Sequence, residues 1–233
     1  MSFIGVICGL KSEAKTVERA VASHKLRIGI SGANAARAEE CASSFCDEGA
    51  AAIISVGVSG GLDPALEPGQ LIVGDKTIAG DGSIYASDHA LLEAAKASMR
   101  DAGHEEPLVS SLYGSDEIID SAQKKQALRT QFGTVAVDME SHGAARAAAR
   151  KGVPFIALRA IADPADRALP AAALNAVAPD GSTRIIATLG AAMRDPKQFP
   201  ALMKLGADSA AATKALRRDL GPLFLGFFLS LNL

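Results

Sequence analysis

Short, continuously apolar segments alternate with alanine-rich segments along most of this chain, and this alternation limits the possible folds more than any other feature. Strands that are apolar on both faces belong to a sheet covered on both sides by helices. The predicted strands are Ile4–Cys8, Leu26–Ile30, Ala52–Val58, Gln70–Val73, Leu108–Tyr113, Thr134–Val137 and Phe155–Ile161. The predicted helices are Glu13–Val21, Ala33–Glu48, Asp88–Ala102, Ser121–Gln131, Ser141–Lys151, Gly181–Arg194 and Phe199–Leu220.

This pattern predicts a single α/β domain of three layers, α/β/α, with a central mixed sheet, over residues 1–220. The chain has 233 residues, of which 48% are apolar, which is enough for one large core. Residues 221–233, "GPLFLGFFLSLNL", form an apolar tail without charge. We expect the tail either to pack on the protein or a partner subunit, or to offer an apolar patch to a membrane surface or a lipidic substrate.

Composition argues against several functional classes. The net charge of −2 and the absence of Trp argue against a nucleic-acid partner, which favours basic patches and aromatic stacking. The unpatterned Cys8, Cys41 and Cys46 fit a reducing compartment, and four dispersed histidines predict no metal site. The first residues read as a strand rather than a signal peptide, and no apolar run reaches membrane-span length. We therefore expect a cytoplasmic protein.

Carboxylates and glycines follow the predicted strands where a site would be built. Ligands of α/β sheets bind beyond the carboxyl ends of the strands. The loop after the first strand carries Glu13, and the segment after the third is rich in glycine, including Gly60, which lets a ligand approach the backbone. Asp138 and Glu140 follow the sixth strand and Asp163 the seventh. The sequence therefore predicts an acidic site at this edge.

Six segments across nearly the whole chain resemble the nucleoside phosphorylase/nucleosidase superfamily, whose members cleave N-glycosidic bonds. They are "GVICGLKSEAK", "SGANAARA", "SVGVSGGLDPALEPGQLIVGD", "YGSDEII", "VDMESHGAARAA" and "VPFIALRAIADPAD". Within this superfamily the chain looks most like the hopanoid-associated phosphorylases, which are similar to methylthioadenosine/adenosylhomocysteine nucleosidases but carry "DPADRALP". The resemblance implies a phosphorylase/hydrolase-like fold and a homodimer or larger homo-oligomer.

The resemblance also implies roles for the acids. Asp163 matches the general acid that protonates the leaving purine, and a desolvated carboxyl can hold that proton. Glu140 matches the residue that binds the ribose hydroxyls, and Met139 would pack against the sugar. Asp138 stands beside them, where many relatives have glutamate. Glu13 matches the acid that activates water in hydrolytic relatives.

The remaining predicted site residues surround these acids. Arg159 matches an arginine near the nucleophile. Ile118 and Ile119 lie where relatives contact the base, but Ile118 replaces a frequent aromatic residue. Val58 stands where relatives often have serine or threonine, and Ser59, one residue later, is the candidate substitute beside Gly60.

The resemblance implies a purine nucleosidase or phosphorylase without a cofactor, acting on adenosylhopane in hopanoid biosynthesis. The alternatives are a soluble methylthioadenosine/adenosylhomocysteine nucleosidase, a general purine nucleoside phosphorylase and a non-catalytic nucleoside-binding protein. Charge favours water as nucleophile, whereas the subfamily resemblance favours phosphate as a co-substrate. The cations available for phosphate are Lys11, Arg27, Arg37, Arg159 and Arg167.

Overall fold

The computed structural model describes residues 2–174, 176–184 and 195–233. The strands of this part of the chain are β1 (Phe3–Cys8), β2 (Leu26–Ile30), β3 (Ala50–Gly61), β4 (Leu71–Ala79), β5 (Ile84–Ala86), β6 (Leu108–Gly114), β7 (Ala136–Asp138) and β8 (Phe155–Asp163). The helices are α1 (Lys11–Ala20), α2 (Ala35–Asp47), α3 (His89–Asp101), α4 (Ala122–Phe132), α5 (Ser141–Lys151) and α6 (Phe199–Ser230), with short 3-10 helices at Ala171–Ala173 and Pro196–Gln198.

The strands form one mixed sheet in the order β2-β1-β3-β7-β6-β4-β5. Strand β8 lies parallel to β3 and antiparallel to β4, so β3, β7, β6, β4 and β8 close into a ring. Strand β7 is antiparallel to β3 but parallel to β6. The predicted three-layer α/β/α domain with a central mixed sheet is therefore confirmed, with a closed ring at its centre that the sequence did not predict.

Two apolar clusters hold the helices against the sheet. Helices α1, α3 and α6 pack on one cluster, which includes Val17, Met99 and Phe224. Helices α2 and α5 pack on the other, where Ala38 and Ala144 are fully buried. Alanine on these two helices allows close packing, which explains why the helical segments are rich in it.

Polar caps set the helix ends. The side chains of Asn34, Asp88 and Ser121 each accept a hydrogen bond from a first-turn backbone amide, as residues of these types do at helix starts. Helices α4 and α5 end at Gly133 and Gly152, both of which have a left-handed backbone that glycine adopts at little cost.

Several element boundaries differ from the predictions. Strands β3 and β4 run on to Gly61 and Ala79, because partner strands continue to pair with them there. The short strand β5 was not predicted. Residues 181–184 form a bend and a bridge instead of the start of a helix, and the rest of the predicted helix Gly181–Arg194 lies outside the described residues.

The apolar tail continues helix α6 past Leu220 to Ser230. Leu223, Phe224 and Phe227 are fully buried in the core, whereas Leu225 and Leu229 are 61% and 71% exposed. The tail therefore packs on its own domain through one face and leaves two leucines on the other. Across the described residues, no helix combines the length and apolarity needed to span a membrane.

Candidate active site

A cleft of about 380 Å³ opens where β1, β3, β7 and β8 end. Residues from the loop after β6 and from the first half of α6 complete its walls. Nine of the predicted site residues line it: Glu13, Ser59, Gly60, Ile118, Ile119, Asp138, Met139, Glu140 and Asp163. Segments far apart in the chain thus meet in one cavity, as the sequence predicted.

Glu13 projects from the first turn of α1 and is buried. Its carboxylate accepts hydrogen bonds of 2.8 Å from the backbone amides of Leu10 and Val58. Burial raises the pKa of Glu13, although these bonds and Arg159 oppose the shift. A Cβ atom at Gly57 would lie 2.9 Å from Oε1 of Glu13, so this glycine makes room for the acid.

Glu140 is buried at the start of α5, close to Glu13. A Cβ at Gly9 would lie 2.4 Å from Glu140 Oε1 and 3.4 Å from Glu13 Oε2, so both carboxyl groups meet at this glycine. Burial, reinforced by the negative charge of Asp138, raises the pKa of Glu140 to about 8. Burial and Asp138 together thus favour the protonated form of Glu140.

Asp138 and Arg159 form a buried ion pair behind these acids. Arg159 Nη2 lies 3.1 Å from Asp138 Oδ1, donates to Ser55 Oγ at 2.7 Å, and lies 3.6 Å from Glu140 Oε2. Asp138 also accepts bonds from both the amide and the hydroxyl of Ser141, so it caps α5. Burial alone would raise the pKa of Asp138, but Arg159 and the hydrogen bonds from Ser141 together outweigh it, and the pKa is lowered.

Arg159, predicted to lie near the nucleophile, stands directly behind the acids of the cleft. It is fully buried and is not among the described residues that line the cleft. Its guanidinium contacts Ser55 on β3, Asp138 on β7 and Glu140, and the last two of these line the cleft. Asp138, predicted to bind substrate, has its carboxylate engaged by Arg159 and the start of α5.

Asp163 ends β8 on the wall of the same cleft, with its side chain 13% exposed. Burial raises its pKa, although the ion pair with Lys125 opposes the shift. A Cβ at Gly60 would lie 3.3 Å from Asp163 Oδ1, so the carboxyl rests against the glycine-rich end of β3. The cleft thus contains three carboxyl groups that burial inclines towards the protonated form, and one, Asp138, that stays ionised.

A family model described as "Phosphorylase superfamily" matches residues 5–193. The chain belongs to this superfamily. Among curated relatives, 5'-methylthioadenosine/S-adenosylhomocysteine nucleosidase of Marinomonas sp. (strain MWYL1) is 27% identical over 135 residues, which are 51% of this chain and 58% of the relative. The same-named protein of Lysinibacillus sphaericus (strain C3-41) is 26% identical over 128 residues, 48% of this chain and 56% of the relative. The matches thus span a little over half the length of these relatives.

Two solved structures share the fold of this chain. Native futalosine hydrolase of Helicobacter pylori strain 26695 superposes with a TM-score of 0.75 at 16% identity, over 96% of this chain and 97% of that one. A putative 5'-methylthioadenosine/S-adenosylhomocysteine nucleosidase of Francisella philomiragia superposes with a TM-score of 0.70 at 17% identity, over 97% and 99%. At such identities these structures establish the fold alone.

The glycine-rich segment that contains Val58 and Ser59 is part of strand β3. Side chains therefore alternate between the two faces here, and Ser59 points away from the face that Val58 occupies. Both residues still line the cleft, and the buried Ser59 Oγ has no hydrogen-bond partner among the described residues. Ser59 thus offers a free hydroxyl to a ligand.

Sequence reasoning missed Lys125, the buried partner of Asp163. The sequence "SAQKKQALRTQF" shows two adjacent lysines, which suggests a solvated face. However, Lys125 stands three and seven residues before Leu128 and Phe132, and both of these pack on an apolar cluster. This helical spacing places Lys125 on the inward stripe and was the available signal.

Apolar residues of the cleft were also missed. Most of them lie in segments whose sequence shows no strand or helix pattern. One lies on α6, where the spacing of apolar residues did not indicate which side chains face the cleft. They are Leu10, Leu169, Leu174, Val177 and Leu205.

Proposed function

We propose that this protein cleaves the N-glycosidic bond of a purine nucleoside by hydrolysis. The observation that carries the proposal is the meeting of Asp163, Glu140 and Glu13 in one cleft, where burial raises the pKa of Asp163 and so favours the protonated form that a general acid needs. The two curated relatives above are named as nucleosidases, which supports the same reaction type.

The chemistry follows from the demands of this bond. As the bond between C1′ and the purine breaks, the sugar becomes cationic and the base gains negative charge. Asp163 gives its proton to the leaving purine, and Glu140 interacts with the sugar hydroxyls and its positive charge. Water attacks C1′ and loses its proton to the ionised form of Glu13, which the backbone amides of Leu10 and Val58 and the charge of Arg159 favour. The products are the free purine and the free ribose sugar.

Water is proposed as the nucleophile because the candidate cations for phosphate already have partners. Lys11 pairs with Asp180, Arg27 with Glu48, Arg37 with backbone carbonyls, Arg159 with Asp138, and Arg167 with Asp208. The backbone amide of Val58, a donor in the glycine-rich segment, is bound by Glu13. A phosphate dianion entering here would meet buried carboxyl groups and no unpaired cation among these five.

An assay of base and sugar products tests the reaction and the nucleophile together. Purified protein is incubated with methylthioadenosine or adenosine, with and without phosphate. We expect adenine release at the same rate in both buffers, with a free reducing sugar as co-product. Phosphate-dependent release with a sugar 1-phosphate product would replace hydrolysis by phosphorolysis, and nucleoside binding without any release would support a non-catalytic binding protein.

A narrower proposal concerns the group attached to the 5′ position of the substrate. Besides the acids, the cleft is walled by Leu10, Leu169, Leu174, Val177 and Leu205. This lining favours an apolar 5′ substituent over a charged one. Adenosylhopane, whose substituent is a pentacyclic hydrocarbon, fits this chemistry, and methylthioadenosine is the smaller alternative. Comparing the kcat/KM of the two substrates distinguishes them.

The exposed side of the tail offers a separate test of lipid contact. Deleting Leu223–Leu233 would remove buried core residues and unfold the protein, so surface substitutions are the better experiment. If the tail contacts the membrane that carries a lipid nucleoside, Leu225→Ser with Leu229→Ser should lower turnover of vesicle-borne adenosylhopane several-fold and leave soluble methylthioadenosine unaffected. Equal turnover of the lipid substrate by both proteins would show that these leucines have no such role.

A further inference from the structure

Lys125 is a fully buried lysine, and the three acceptors bonded to its ammonium group all lie on the segment that carries Asp163. Its ammonium group pairs with Asp163 Oδ2 and donates to the backbone carbonyls of Pro164, at 2.8 Å, and Arg167, at 3.0 Å. Three acceptors satisfy the three donors of an ammonium group. Burying this charge is costly without such partners, so the position is built to hold a cation.

We propose that Lys125 is a positioning residue for the general acid, fixing Oδ2 of Asp163 so that Oδ1 carries the proton towards the purine. This inference rests on the proposed function, because it assigns Asp163 the role of acid. Among the described residues, Oδ2 takes the hydrogen bond from Lys125 and none donates to Oδ1. With one oxygen occupied by a donor, the transferable proton belongs on the other.

The charges around Asp163 come from three segments. Lys125 on α4 and Arg167 in the loop after β8 favour its ionised form, whereas Asp208 on α6 opposes ionisation. Arg167 is itself paired with Asp208, which leaves Lys125 as the cation in direct contact with the acid. Removing the lysine charge should therefore raise the pKa of Asp163, and a general acid with a higher pKa stays protonated to higher pH.

The test compares Lys125→Met with Lys125→Arg, which keeps the charge. Lys124→Met is the matched control, because Lys124 is the neighbouring residue but pairs on the surface with Asp120. We expect Lys125→Met to lower kcat roughly 10- to 100-fold with little change in KM, since misplacement of a reacting group costs rate. In the pH–rate profile of Lys125→Met, the fall in kcat on the alkaline side should move to higher pH. Lys125→Arg should recover much of kcat, and its kcat should fall over the same pH range as that of wild type.

A double-mutant cycle separates this role from general damage to the fold. In an Asp163→Asn background, Lys125→Met should cause no further loss of kcat, because the group that Lys125 positions is already gone. This double variant also avoids an unpaired buried charge, so it should fold even if the single variant does not. An additive further loss, or an unchanged pH profile in Lys125→Met, would overturn the proposal.

A measurement without turnover keeps the inference separate from the proposed function. Titration of ¹³C-labelled aspartate carboxyls by NMR, with the Asp163 signal assigned from Asp163→Asn, reports the pKa in wild type and in Lys125→Arg and Lys125→Met. A higher pKa in Lys125→Met alone supports the pairing even if no nucleoside is cleaved. An equal pKa in all three proteins would refute it even if wild type is fully active.

Discussion

Asp163→Asn should reduce the rate of purine release at least ~100-fold, since it removes the group that protonates the leaving base. The amide has nearly the same shape, and the side chain stays beside Lys125 and Gly60. The loss should fall on kcat rather than on KM, because the proton is needed only as the bond breaks. Steady-state assays of adenine release measure both parameters.

The pH profile follows from the same residue. Burial raises the pKa of Asp163, and the acid works only when protonated, so the rate should fall on the alkaline side as Asp163 loses its proton. Asp166→Asn is the matched control, because Asp166 is exposed in the same loop three residues later and should leave the rate unchanged. A near-normal rate for Asp163→Asn would assign the acid to another group.

Glu140→Gln should lower activity strongly and raise stability at the same time. The carboxyl is expected to interact with the cationic sugar, so its loss should reduce kcat/KM by roughly 100-fold or more. In the unliganded protein, however, its burial beside Asp138 opposes its ionisation. Neutral glutamine removes that opposition, and the free energy of unfolding should rise.

The sign of this effect depends on pH. The pKa of Glu140 is about 8 in the folded protein, against an ordinary value of 4.5. Below pH 4.5 both the folded and the unfolded states carry the proton, and the residue has no pH-linked effect. Between pH 4.5 and 8 the unfolded state ionises more readily, so the wild-type fold loses stability as pH rises.

Thermal unfolding of both proteins measures this difference. Glu140→Gln should melt several degrees above wild type at pH 8 and close to it at pH 5. Glu117→Gln is a suitable control, because Glu117 also lines the cleft but is exposed. This variant should have the melting temperature of wild type at both pH 8 and pH 5. A Glu140→Gln variant that melts below wild type at pH 8 would show that the ionised carboxylate stabilises the fold.

Local patterns in the sequence were enough to predict the layers of the fold and the acids that line the cleft. Apolar strands and alanine-rich helices predict the covered sheet, because burial on two faces requires apolar residues at every position. The acids Glu13, Glu140 and Asp163 were found because each follows a predicted strand closely, and strand ends converge. Both the apolar patterns and the positions of these acids after the strands can be recognised within short stretches of the sequence.

Tertiary structure decided what depends on pairing between distant segments. The closure of the sheet by β8, the placement of Arg159 behind the cleft and the capture of Lys125 by Asp163 all join residues far apart in the chain. From a short stretch of sequence, a lysine or arginine is predicted to be exposed to solvent. Whether it is buried instead depends on an opposite charge that another segment places beside it. The sequence by itself thus determined which acidic and basic side chains the site contains. Packing determined which carboxyl groups are buried, and therefore favour the protonated form, and it placed Lys125 against Asp163.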